Sequence, residues 1–78
     1  MKLRKSVHQF AQLMEKRLQL NDYKGGWQNE SDSYLFQCLI EELVELCRAQ
    51  SAQQKCNEAA DAANFAMMIA DNSKWGKR

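Results

Sequence analysis

Three stretches of the chain place apolar residues at helical spacing, where positions three or four apart share a face. The first runs from about Arg4 to Leu20 and predicts an amphipathic helix. Its apolar stripe consists of Val7, Phe10, Ala11, Met14 and Leu18. Lysine, glutamine and glutamate fill the opposite side, so we expect this helix to pack through one face.

The second stretch, from about Asp32 to Gln50, carries apolar side chains around more than half of its circumference. Such a broad apolar surface is typical of a helix that packs on two sides. Ser31 is predicted to cap its first turn, because a serine side chain at that position accepts a hydrogen bond from a free backbone N–H group.

The third stretch, from about Gln54 to Ala70, follows after a short connection, which predicts an antiparallel helical hairpin. Ser51 and Gln54 fit a capping box at its start. Between residues 59 and 70 only Asp61 and Asn64 are polar, a pattern typical of a buried helix. A buried aspartate is costly unless another group pairs with it.

The segment 21–33, between the first two helices, is predicted to be a loop, because Gly25 and Gly26 interrupt the helical pattern. Two interpretations of this loop stay open. It could be a plain connector whose Trp27 fills the core. Alternatively, it could face a substrate, with Trp27 stacked on a base and Lys24 close to phosphate.

We expect the whole chain, residues 1–78, to form a single all-α domain, because it contains no proline and many good helix formers. Three helices of this size bury little apolar surface by themselves. The N-terminal helix and the hairpin are therefore expected to complete a four-helix-bundle-type core by oligomerisation. A flexible tail is expected over about residues 72–78.

The formal net charge is +1, with both signs mixed along the chain, which argues against a nucleic-acid partner. No apolar run predicts a signal peptide or a membrane span, so no membrane partner is expected. The three cysteines are an odd number. Without a predicted secretion signal they indicate reduced thiols and a cytoplasmic location.

Carboxylates recur at helical spacing in both helices of the predicted hairpin. Glu42 and Glu45 lie in one helix, and Glu58 and Asp61 lie in the other. Because each pair is three residues apart, its members share a face, and the hairpin would bring all four together. Four adjacent carboxylates repel one another unless a cation lies between them. An all-oxygen set favours Mg²⁺, with Mn²⁺ as a substitute, over zinc.

A magnesium ion held by carboxylates typically binds the phosphate oxygens of a substrate through its open positions. The chemistry that this site predicts is hydrolysis of a phosphoanhydride. A spare carboxylate would accept the proton of the attacking water.

The acidic residues also carry a family resemblance. Glu41, Glu42 and Glu45, followed after twelve residues by Glu58 and Asp61, resemble the EExxE…ExxD signature of the MazG-like all-α nucleoside triphosphate pyrophosphohydrolases. The strings KGGW and EAADAANFAMMIADN are similar to those of small phage and prophage members. The resemblance covers roughly residues 24–72.

The resemblance implies Mg²⁺-dependent hydrolysis of (deoxy)nucleoside triphosphates to the monophosphate and pyrophosphate, a role in control of the nucleotide pool, and homodimers or homotetramers. The metal ligands that it implies are Glu42, Glu45, Glu58 and Asp61. The residues that it implies for catalysis are Glu41, Glu42 and Glu45, of which Glu41 would bind a further metal or activate water.

The predicted substrate contacts are Lys24, Trp27, Asn64 and Lys74. For Asn64 a second interpretation stays open, in which it is a polar core residue bonded to a neighbouring helix. A rival to the enzyme as a whole also stays open: a non-catalytic helical interaction module that retains an acidic metal site.

Overall fold

The computed structural model describes residues 1–75, apart from the side chains of Tyr23, Lys74 and Trp75. Over this range the chain is all-helical and has no strand, as the sequence predicts. Its three main helices are α1 (Lys5–Leu20), α2 (Asp32–Cys47) and α3 (Ala52–Ala70). A 3-10 turn, Asp22–Lys24, follows α1, and a π-helical turn, Asp71–Trp75, follows α3.

Helix α3 is the centre of the fold. It packs on α2 along one side and on α1 along another, while α1 and α2 do not pack on each other. The buried apolar side chains of the described residues are Leu35, Ala60 and Ala62. The small alanines Ala60 and Ala62 allow the neighbouring helices to approach α3 closely, and the polar Asn64 of the same helix is buried with them.

Both predicted serine caps are present. The Ser31 hydroxyl accepts a hydrogen bond from the N–H of Tyr34 at 3.2 Å, and the Ser51 hydroxyl accepts one from the N–H of Gln54 at 3.0 Å. The Gln54 side chain accepts from the N–H of Gln50 at 3.0 Å rather than from Ser51 itself. The capping box therefore closes one residue earlier than the motif predicts.

The helix boundaries at the hairpin differ from the predicted ones. Helix α2 ends at Cys47 instead of Gln50, and α3 begins at Ala52 instead of Gln54. The cause is Ser51, which must adopt an extended backbone (φ −122°, ψ 161°) to cap α3. The chain must leave α2 before that residue, and α3 starts directly after it.

Helical structure also continues past Ala70, close to where a flexible tail was expected to begin. Asn72 is buried, and its side-chain amide donates to the backbone carbonyl of Trp27 at 3.0 Å. The end of α3 is thereby fastened to the loop that follows α1. Among the described residues, no helix combines the length and the apolar character that crossing a membrane requires.

One face of α2 carries large apolar side chains that no other described part of the chain covers. We call it the outer α2 face. Its residues are Phe36 (50% exposed), Ile40 (61%), Leu43 (45%) and Val44 (41%). Since the opposite side of α2 packs on α3, this helix has two apolar surfaces, as its broad pattern predicts.

Candidate metal centre

Three of the predicted carboxylates meet where α2 faces α3. Glu42 comes from α2, and Glu58 and Asp61 come from adjacent turns of α3. One oxygen from each of the three lies within 4.8 Å of the others. The hairpin produces this meeting, because it turns the Glu42 side of α2 towards the face that carries Glu58 and Asp61. We call these three side chains the acidic cluster.

The acidic cluster is partly withdrawn from water. Oε2 of Glu42 is buried, and no described residue donates a hydrogen bond to it. Desolvation raises the pKa of Glu42 above its ordinary value of 4.5, and repulsion from Asp61, Glu58 and Glu45 raises it further. The pKa of Glu58 is raised as well, with desolvation again the largest cause. The carboxylates of the acidic cluster therefore need positive charge nearby to stabilise their ionised forms.

Part of that charge comes from Arg17, which the sequence did not predict. Its Nε donates to Oδ1 of Asp61 at 3.0 Å and its Nη2 donates to Oδ2 at 2.9 Å. The hydrogen bond to Asp61 is the main reason that the pKa of Arg17 is raised above its ordinary value. The pair is partly shielded, with the arginine side chain 25% exposed and the aspartate side chain 17% exposed.

The structure does not bring the whole predicted ligand set into the cluster. Glu45 is exposed and lies outside the three-carboxylate group, although its charge helps to raise the pKa of both Glu42 and Glu58. Glu41 is exposed as well and is not part of the group. Glu41 directly precedes Glu42 on α2, so a rotation of about 100° about the helix axis separates the two side chains.

A cleft of about 380 Å³ opens beside the acidic cluster. Glu42, Asp61 and Arg17 line one part of it. Of the residues predicted to contact substrate, Lys24, Trp27 and Asn64 line the same cleft. The side chain of the fourth, Lys74, lies outside the described part of the chain. The cleft thus joins an acidic, cation-attracting end to an aromatic loop.

Trp27 is held at two points by the end of α3. Its indole N–H donates to Oδ2 of Asp71 at 3.0 Å, and its carbonyl accepts the hydrogen bond from Asn72. Gly25 has φ +89°, in the left-handed region that favours glycine. The glycine allows the chain to turn sharply out of the 3-10 segment, and the two hydrogen bonds then fix the indole along the cleft.

Asn64 lies one helical turn beyond Asp61 and is 3% exposed. Its amide donates to the carbonyl of Met14 on α1 at 3.0 Å, so it is a core residue bonded to a neighbouring helix. Its other polar atom, Oδ1, is buried and has no hydrogen-bond partner among the described residues. A buried acceptor without a donor is unusual, and Asn64 is also one of the residues that line the cleft.

The acidic cluster fits a hard divalent cation. It supplies carboxylate oxygens alone, and Mg²⁺ and Mn²⁺ prefer such ligands. A cation would also compensate the orphaned Oε2 of Glu42, which now lacks a hydrogen-bond donor. Glu42, Glu58 and Asp61 are therefore the residues that could hold the ion.

The raised pKa values predict how the metal-free protein responds to pH. A carboxyl whose pKa is higher in the folded state than in the unfolded state contributes stability below the unfolded value and loses it as pH rises through the folded value. Glu42→Gln removes one such carboxyl. We expect the variant to be more stable than wild type at about pH 7, by at most about 1 kcal/mol for this partly solvated group, and the advantage to vanish near pH 4.

Urea unfolding of metal-stripped protein at several pH values measures this difference. Glu15→Gln is the matched control, since Glu15 is exposed and its side chain bonds only to Gln19 among the described residues. An advantage of Glu42→Gln that grows as pH falls would contradict the assignment of a desolvated, repelled carboxyl.

Comparison with known proteins gives no assignment for this chain: no protein-family model, curated protein or solved structure matches it. Its function is therefore inferred from the acidic cluster, the cleft and the motif spacing.

Proposed function

We propose that the protein is a Mg²⁺-dependent nucleoside triphosphate pyrophosphohydrolase, which converts a (deoxy)nucleoside triphosphate to the monophosphate and pyrophosphate. The observation that carries the proposal is the meeting of three carboxylates within 4.8 Å of one another, two of which, Glu42 and Asp61, line a cleft together with Trp27 and Lys24. The resemblance to the EExxE…ExxD signature supports the same activity.

In this proposal Glu42, Glu58 and Asp61 hold the divalent ion, and Glu45 joins them from the next turn of α2. The bound ion supplies charge neutralisation for the polyphosphate and a more acidic attacking water. Mn²⁺ would replace Mg²⁺, because both prefer oxygen ligands.

The remaining carboxylate provides the base. Water attacks the α-phosphorus, a new P–O bond forms, and the bond from the α-phosphorus to the oxygen that bridges to the β-phosphorus breaks as pyrophosphate leaves. The proton of the water passes to a spare carboxylate, for which Glu41 is the candidate because it lies outside the acidic cluster and is not assigned to the ion.

The other end of the cleft binds the nucleoside. Trp27 offers an aromatic face on which a base can stack, and its two hydrogen bonds to the end of α3 hold that face in place. Lys24 contributes positive charge for phosphate. Oδ1 of Asn64 would accept a hydrogen bond from the substrate or from water that the substrate orders.

We also propose that the protein self-associates through the outer α2 face. A second copy presenting the same face would bury four large apolar side chains on each chain and complete a four-helix bundle from two hairpins. The resemblance implies dimers or tetramers, and both assemblies can use this face.

A product-release assay tests the enzymatic activity. The protein, with Mg²⁺, is incubated separately with each common dNTP and NTP, and pyrophosphate and orthophosphate are quantified independently. We expect a subset of the nucleotides to yield pyrophosphate and monophosphate, and we expect no release of orthophosphate. Release of orthophosphate alone would mean cleavage at the γ-phosphate and would contradict the proposal.

Absence of every product in Mg²⁺ and in Mn²⁺, from a folded and assembled sample, would contradict it as well. If the metal nevertheless raised the melting temperature, the non-catalytic helical module that retains an acidic site would become the better interpretation.

A further inference from the structure

The guanidinium of Arg17 is paired with one carboxylate of the acidic cluster, Asp61. Both oxygens of Asp61 accept a hydrogen bond from it, at 3.0 and 2.9 Å. Asp61 is also one of the three carboxylates whose oxygens converge within 4.8 Å. One side chain of the acidic cluster is therefore already paired with a cation that belongs to the protein.

Arg17 reaches the acidic cluster from a different helix and is partly exposed to the cleft. It projects from α1, whereas the cluster lies on α2 and α3. Its side chain is 25% exposed and lines the cleft together with Lys24 and Trp27. A planar guanidinium fits the paired oxygens of a phosphate as well as it fits those of a carboxylate. The same group can therefore serve either partner from one position on α1.

The charges favour such an exchange. Three carboxylates around one guanidinium leave the acidic cluster undercompensated. A divalent cation would neutralise it better, but it would repel a guanidinium that shares Asp61. A polyphosphate in the cleft would then offer the displaced guanidinium new anionic oxygens.

We propose that Arg17 is an exchangeable counter-ion: it neutralises Asp61 while the cluster is without metal, and it moves to the phosphates of the substrate when the divalent ion binds. This assignment rests on the proposed function, because it takes the anion to be a polyphosphate. Metal and substrate then favour each other's binding, since the metal releases the group that the substrate needs.

The first test measures metal affinity without nucleotide. Mn²⁺ is titrated into wild type, Arg17→Gln and Lys16→Gln, and free Mn²⁺ is followed by electron paramagnetic resonance. Lys16 is the matched control, because it is an exposed cation on the neighbouring position of α1. We expect Arg17→Gln to bind Mn²⁺ about tenfold more tightly, as expected for loss of a competing charge-assisted pair, and Lys16→Gln to change little.

The second test measures phosphate binding without a base. The magnesium complex of inorganic tripolyphosphate is titrated by calorimetry into protein kept in excess Mg²⁺. We expect Arg17→Gln to bind it at least about tenfold more weakly than Lys16→Gln does. Arg17→Lys, which keeps the charge but loses the planar fork, should fall between the two.

Folding of each variant is checked by circular dichroism. If Arg17→Gln does not fold, the Mn²⁺ and tripolyphosphate titrations are carried out with Arg17→Lys instead. Weaker or unchanged Mn²⁺ binding in Arg17→Gln would overturn the proposal, because Arg17 would then orient Asp61 for the metal or be irrelevant to it. Unchanged tripolyphosphate binding would overturn the transfer to phosphate.

These outcomes are separable from those of the enzymatic proposal. Tighter Mn²⁺ binding and weaker tripolyphosphate binding in Arg17→Gln, in a protein that releases no pyrophosphate from any nucleotide, would keep the counter-ion role and reject the hydrolysis. Hydrolysis by wild type, together with unchanged Mn²⁺ affinity in Arg17→Gln, would keep the enzymatic proposal and reject the counter-ion role.

Discussion

Asp61→Asn is expected to abolish pyrophosphate release, with a loss of at least about 10³-fold in kcat/KM, which corresponds to about 4 kcal/mol of transition-state stabilisation. The substitution removes the charge of one ligand in the acidic cluster and keeps the size of the side chain. It also removes the carboxylate that holds Arg17. Glu42→Gln should cause a similar loss, because Glu42 is the carboxylate that α2 contributes to the acidic cluster.

The fold should survive both substitutions. The Arg17–Asp61 pair is partly exposed, and pairs of this kind contribute about 1 kcal/mol or less to the free energy of unfolding. The measurement is the product-release assay on protein whose circular dichroism matches wild type. Glu15→Gln, which neutralises an exposed carboxylate on α1 away from the cluster, should keep full activity. Full activity in Asp61→Asn would exclude the cluster as the metal site.

Ile40→Glu is expected to prevent the self-association proposed for the outer α2 face. Ile40 is the most exposed of the outer α2 face residues, at 61%, so glutamate fits there in an isolated chain. In a symmetric interface the change occurs twice, and each copy loses about 1.5–3 kcal/mol of apolar burial. The association constant should therefore fall by at least about 10²-fold.

Sedimentation equilibrium measures this change directly. Gln12→Glu is the control, since it introduces the same charge at an exposed, polar position of α1. It should leave the molar mass of the assembly unchanged. If Ile40→Glu has the same mass as wild type and wild type is oligomeric, the interface lies elsewhere, for example at the N-terminal end of the chain, where Leu3 and Val7 are exposed.

The helices could be predicted because their apolar spacing and their caps are local properties. Ser31 and Ser51 each fix a helix start through a hydrogen bond that spans three residues, and three residues of sequence are enough to recognise it. The predicted end of α2 was wrong by three residues for a reason that is also local. Its pattern stays helical up to Gln50, but Ser51 needs an extended backbone to cap the next helix.

The acidic cluster could be predicted only in part. The hairpin spacing predicts that Glu42, Glu58 and Asp61 meet, whereas the exclusion of Glu45 depends on how far α2 is rotated about its axis. Arg17 was missed because it lies 44 positions from Asp61, and their pairing depends on how α1 docks. A signal did exist: Arg17 lies three residues after Met14 and seven after Phe10, so it interrupts the apolar stripe of α1.

Helix α3 fixes the distance between the acidic cluster and the residue that holds the indole of Trp27. It carries Asp61 of the acidic cluster near its middle, and Asp71, which holds the indole of Trp27, directly follows its last residue. The two aspartates are ten residue steps apart, which corresponds to about 15 Å along the helix axis. One inserted residue would lengthen that span by about 1.5 Å and rotate one end by about 100° relative to the other. The position of Trp27 relative to the acidic cluster therefore depends on the length of this part of α3.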